Sequence, residues 1–199
     1  MRLFAKGRFT MRKKVVKNLE TDFLEPSFKY LVKNGLENTS VRDLCRDMEM
    51  STGSIYYWFE NKDDIYINVV KYGISKVVGA LFDMAFEKLA TPDVFFDTFL
   101  DEVDKYKLEF RLIFQVTTSP VYGDRMREKS EDFKQEYEKY ICRISGMLGC
   151  KPETVTPVIY MLISILVDYV VWDDREVSEM QLKDLHDTLK LKMEREQNN

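Results

Sequence analysis

Apolar residues recur along most of this 199-residue chain at intervals of three and four, the spacing that gathers them on one side of an α-helix. Phe23, Leu24, Phe28, Leu31 and Val32 mark a first helix running to about Lys33. Thr21 or Asp22 is its expected cap, Pro26 falls in its first turn, and Asn34-Gly35 is its stop. Ser40-Val41-Arg42-Asp43 spells a capping box for a second helix, with Val41, Leu44, Cys45 and Met48 inward. Glu49-Met50 makes a turn. Ser51 caps a short helix whose inner residues are Ile55 and Phe59, and Asn61 caps a long one to about Leu89. Asp63 and Asp64 sit at the positive end of that long helix.

Further helices are expected at 92–105, 107–116 and 124–148, the last closed by Gly146 and Gly149, with a loop at 117–123. Lys151-Pro152-Glu153 opens another helix to about Trp172, and a last one covers 177–195. Eight Gly and five Pro are too few for a β protein that turns every ~8–12 residues, so the fold class is all-α. Segment 154–172 is apolar nearly all the way round and must be covered on every side. A chain of this size covers one side or two, so a second copy is the expected cover. Segment 177–195, with Met180, Leu182, Leu185, Leu189, Leu191 and Met193, would join it in a four-helix dimer interface. The alternative is a core helix of a monomer.

Charge changes the picture. Residues 1–76 hold fourteen Lys/Arg against ten Asp/Glu, whereas 77–199 hold sixteen against twenty-four. Residues 1–17 carry seven basic side chains and no acidic one. A basic front on an acidic body suits a DNA-binding head, although a solvated basic tail would look the same. Cys45, Cys142 and Cys150 are too few and too scattered for a disulfide framework, so a reducing cytoplasm is expected. No secretory signal is evident, and the uncharged run 154–167 is shorter than a bilayer needs, so no membrane is expected.

The window 39–65 places two short capped helices one turn apart, and the second carries small polar and aromatic residues in place of a full apolar face. That is how a helix is offered to a DNA groove. Thr39 and Ser40 sit where hydroxyls and free N–H groups can hold phosphate, and Arg42 is exposed one turn in. Thr52, Gly53 and Ser54 open the recognition helix. Gly53 there lets the backbone approach closely, and a helix-interior glycine, costing ~1 kcal/mol, needs such a reason. Tyr56 and Tyr57 can donate to phosphates, and Lys62 is a point charge at the next helix start. The plainer readings are core packing for Tyr56 and Phe59, solvation for Lys62 and simple capping for Ser40 and Ser51. With few Arg, Asn or Gln on that helix, direct base reading is thin, and arm, shape and phosphate contacts carry more.

Gly35, Thr39-Ser40-Val41, Leu44, Ser51, Gly53, Ile55-Tyr56-Tyr57, Phe59, Lys62 and Ile65 resemble the TetR family of bacterial transcriptional regulators, over about residues 23–66. The resemblance implies a basic arm at 1–21, a three-helix DNA-binding domain at 22–66 and a helical ligand-binding and dimerisation domain at 67–199. It places Ser40, Arg42, Thr52, Gly53, Ser54, Tyr56, Tyr57 and Lys62 at positions that contact DNA in relatives. Trp58 stands where relatives often have His, and either contacts backbone or packs. Cys45, Met48 and Glu49 depart from the pattern, since the family usually has Ala, a small residue and Gly there. A homodimer on a near-palindromic double-stranded operator, released by a small apolar ligand, is what the resemblance implies, with the long helix from Asn61 as the moving part.

Candidate ligand-binding aromatics are Phe82, Phe86, Phe99, Phe110, Phe114 and Tyr160. Phe95, Phe96, Tyr106 and Tyr122 belong to the same aromatic-rich stretch. Nothing points to catalysis, a metal or a cofactor: His186 reads as a solvated surface residue, and neither a Cys/His cluster with metal spacing nor a Gly-rich phosphate loop is present. A non-inducible DNA binder working through protein partners is the second reading, and a small helical enzyme or carrier the third.

Overall fold

The structure, a computed structural model, describes residues 16–88, 92–128 and 130–198, less the side chains of 130–133, 136 and 197. Most of the basic arm lies outside these residues. Helices are the only regular elements among the described residues: α1 Glu25–Asn34, α2 Val41–Asp47, α3 Thr52–Ile55, α4 Lys62–Lys88, α5 Pro92–Asp104, α6 Lys107–Thr117, α7 Gly123–Glu128, α8 Ser130–Leu148, α9 Pro152–Trp172 and α10 Arg175–Gln197. The chain divides into two compact units between Val69 and Val70.

In the first unit the helical path starts earlier than the sequence suggests. Asn18, not Thr21 or Asp22, is the cap: its side-chain oxygen accepts from the N–H groups of Glu20 (3.0 Å) and Thr21 (3.4 Å). Asp22 instead reaches back to the N–H groups of Lys17 and Asn18. A widened turn, Glu20–Leu24, then leads into α1, with Glu25 N–H donating to Glu20 O. Pro26 accounts for it, because its ring would collide with a carbonyl four residues back in a regular helix. Gly35 ends α1 with φ 81°. Phe23, Leu31, Leu44, Ile55 and Ile65 are fully buried and form the core. Burial of each such side chain contributes ~1.5–3 kcal/mol. Tyr66 is buried as well, and its hydroxyl donates 2.5 Å to Thr39 O.

In the second unit α9 packs on α6, α8 and α10. The helix expected over 124–148 is described as α7 and α8, with residue 129 outside the described set. Gly146 lies inside α8, and Gly149 alone follows its end. The last helix begins at Arg175, two residues ahead of expectation, because Asp174 caps it through Val177 N–H (3.1 Å). His186 is buried, not solvated: its ring stacks on Phe96 (4.4 Å) and its Nε2 lies 3.5 Å from Asp93 Oδ1. Leu182, Leu185 and Leu189 carry the rest of α10's inner face. By length and composition α4 and α9 are each apolar enough to cross a membrane. Helix α9 reaches Trp172 as expected, so its apolar stretch runs past Asp168 and is longer than the uncharged run 154–167. Its Val155, Val158, Ile159, Leu166 and Val170 are buried within this chain.

Candidate DNA interface and ligand cavity

The two helices of the motif are held by short-range polar chemistry. In α2 the Ser40 hydroxyl and N–H both donate to Asp43 Oδ2 (2.5 and 2.9 Å), and Asp43 N–H returns to Ser40 Oγ (3.2 Å). These bonds from Ser40, with Arg46 adding its charge, hold the Asp43 carboxyl below the usual carboxylate range. The cap therefore stays ionised and closed. Thr39 differs from expectation: it is buried and its hydroxyl donates to Gly35 O (2.7 Å), so it fixes the entry to α2 and offers nothing outward. Arg42 is exposed.

The turn into α3 runs through Glu49 at φ 55°. Its N–H bonds Arg46 O, and Met50 N–H bonds Cys45 O (2.8 Å), the pattern of a left-handed helix cap normally given to glycine. Ser51 then caps α3 by accepting from Ser54 N–H (3.0 Å). Ile55 and Phe59 anchor the segment inward, Phe59 against Phe23 at 5.8 Å between ring centroids. With those two held, Tyr56, Tyr57 and Trp58 are turned out, at 45%, 84% and 46% exposure. Apolar rings are left in water here because the local backbone gives them no inward position.

The other candidates divide. Gly53 is exposed, and a Cβ there would meet nothing within 4 Å, so the chain's own packing does not require glycine at that position. Thr52 is half-buried at the helix start. Ser54 is committed inward: its hydroxyl donates to Ser51 O (2.7 Å). Lys62 is exposed, with its ammonium 5.3 Å from the centre of the Tyr66 ring. Trp58 stands edge-on to Tyr57 at 5.8 Å. Tyr66, which ties α4 to the entry of α2, escaped the sequence reading because its hydroxyl partner is a backbone carbonyl distant in sequence.

Within the second unit, α4 to α10 enclose a cavity of about 380 Å³. Phe82, Phe99, Phe110 and Phe114 line it, as do Phe95 and Phe96 of the same aromatic-rich stretch, and Tyr137, which the sequence did not single out. Phe86 and Tyr160 do not line it. Phe86 packs against Tyr140 and carries the Arg143 guanidinium 3.6 Å over its face, and Tyr160 is exposed. Phe95, Phe96 and Phe99 recur at helical spacing in an aromatic-rich stretch, whereas Tyr137 sits in a charged one. Burial, with smaller contributions from Tyr160 and Tyr140, pushes the Tyr137 hydroxyl up to about 12, so it stays protonated. Thr117, Arg127 and Tyr137 are the polar residues of a wall that is otherwise hydrocarbon and aromatic.

Among the described residues the only regular elements are helices, and a capped helix-turn-helix turns small and aromatic residues outward, the arrangement that suits a DNA groove. Residues 24–69 match the bacterial regulatory proteins of the tetR family, and the chain carries that family's DNA-binding domain. Solved structures share the fold. A transcriptional regulator of the TerR/AcrR family from Aquifex aeolicus is 24% identical, with 87% of this chain and 99% of that one covered at a TM-score of 0.52. A TetR transcription regulator from Haloarcula marismortui is 15% identical, with 86% and 96% covered at 0.54. A transcriptional regulator from Rhodococcus is 13% identical, with 87% and 95% covered at 0.53. No curated protein gives a significant match.

Proposed function

We propose that this chain is a dimeric repressor that binds a near-palindromic operator and leaves it when a small apolar ligand fills the cavity of the second unit. The observation that carries the DNA reading is the outward set Tyr56, Tyr57 and Trp58 on a turn whose backbone is pinned by Ser51, Ile55 and Phe59. Arg42, Thr52, Gly53 and Lys62 extend that surface, and Ser40 contributes as the cap that aims α2. Ser54 acts by fixing α3. A twofold dimer sets two such surfaces on half-sites about 34–36 Å or a multiple apart.

Dimerisation is supported by α9, which buries one apolar face in this chain and leaves Tyr160, Met161, Val167, Val171 and Trp172 exposed, and by Val177, Met180 and Leu191 on α10. Apolar patches of that kind mark contact surfaces. The cavity supports the inducer reading. Helix α4 contributes Ile74, Val78, Leu81 and Phe82 to its wall, and the same helix begins at Lys62. A ligand that binds one state better shifts the population toward it.

The test is a gel-shift titration against the DNA flanking the protein's own gene, in dilute salt, with the mass of the free protein measured alongside. Specific retardation by a dimer supports the reading. A monomer that ignores this DNA removes it.

A further inference from the structure

We propose that the cavity takes a medium-length acyl carboxylate, with its chain among the phenylalanines and its carboxylate at Arg127. This rests on the reading of the cavity as the inducer site and names what that site accepts. The wall is hydrocarbon and aromatic save for Thr117, Arg127 and Tyr137. Thr117 and Arg127 come together around Gly123. A Cβ at that glycine would lie 2.9 Å from the Thr117 carbonyl oxygen and 3.5 Å from an Arg127 guanidinium nitrogen. The missing Cβ thus lets α7 close on the end of α6, with Met126 buried and Arg127 at the rim.

Arg127 keeps 70% of its side chain in water, so it holds its charge at little cost while touching an apolar cavity. Its partner is Asp124, one turn back on the same short helix and 79% exposed. An exposed pair of that kind is worth ~0–1 kcal/mol, so a ligand carboxylate replaces Asp124 cheaply and can engage the guanidinium through two parallel hydrogen bonds. A cationic head meets a like charge at the same place. Size limits the chain: about 380 Å³ is at the small end of ligand cavities, which suits an acyl chain of medium length, on the order of ten carbons.

Isothermal titration of the full chain with decanoate, decanol and decylamine, each below its micellar concentration and without DNA, tests this. Decanoate is expected to bind about tenfold more tightly than decanol, with decylamine weakest, the difference being one hydrogen-bonded charge. Arg127→Gln is expected to bring decanoate down to the decanol level and leave decanol unchanged, which also shows that the variant is folded. Equal binding of decanoate and decanol, an unchanged decanoate affinity in Arg127→Gln, or no binding of any of the three overturns the proposal. If decanoate binds but leaves the protein on its operator, the inducer reading fails and this assignment stands. If a neutral or cationic compound releases the operator while decanoate does not bind, the reverse holds.

Discussion

The hydroxyl of Tyr169, in the last turn of α9, donates 2.8 Å to Oδ1 of Asp104, the last residue of α5. A carboxylate at a helix C-terminus faces the negative end of the helix dipole and is unfavourable there. Asp104 is kept in place by Tyr169, by Arg175 at 3.2 Å and by Lys107 at 3.5 Å. Arg175 also holds Asp101 and Glu179, and Lys107 also pairs with Asp173 and lies 4.0 Å over the Tyr169 ring. Four helices are stitched by this group. Tyr169→Phe removes one donor and is expected to cost about 1 kcal/mol of stability, read as a lower urea midpoint at an unchanged slope.

Glu49 occupies a left-handed backbone position that costs a non-glycine residue ~1–2 kcal/mol. Glu49→Gly relieves that strain and loses part of the gain to the greater entropy of an unfolded glycine. The expected net effect is a stabilisation of roughly 0.5–1 kcal/mol by urea unfolding, with DNA affinity unchanged.

Lys62→Ala removes an exposed charge at the start of α4. If Lys62 meets a phosphate, operator binding weakens for all sequences alike and the salt slope of log K falls by about 1. Tyr56→Ala is expected to weaken operator binding with no change in the mass of the dimer by sedimentation. Unchanged affinity in both variants would remove this surface as the DNA site.

Val167 is an exposed branched side chain on α9. Val167→Asp places a charge on the proposed twofold contact, which cannot be desolvated unpaired. The expected outcome is a monomer by sedimentation at micromolar concentration, with helicity retained by circular dichroism and operator affinity lost.

Tyr137 titrates at about 12 in the fold against about 10 when unfolded, so its neutral form is favoured by folding. The stability this gives is complete below pH 10 and is lost as pH rises toward 12. Tyr137→Phe lacks the group, so its stability is expected to fall less steeply than the parent's over that window. The ultraviolet difference titration between the two proteins should show a tyrosine with its midpoint near 12.

Local chemistry made much of the DNA-binding unit legible in one dimension. Ser40 with Asp43, Ser51, Asn61 and Gly35 act within a turn of themselves, so their hydrogen bonds could be read from spacing, and the same spacing set Ile55 and Phe59 inward, whereas the place of Tyr56 stayed open until the structure turned it out. The apolar pattern of α9 likewise announced a helix with more greasy surface than one chain covers. Asn18 as the first cap and the inward hydroxyls of Thr39 and Ser54 are equally local, within four residues of their partners, and spacing left each as one choice among several. Tertiary structure alone decided the rest. His186 was buried by the ring of Phe96 from another helix, and Arg127 reached the cavity because Gly123 lets α7 close on α6. Periodicity says which side of a helix is apolar. Which of those apolar residues fill a core and which face an empty space is settled by the neighbours that side meets, and these lie far away along the chain.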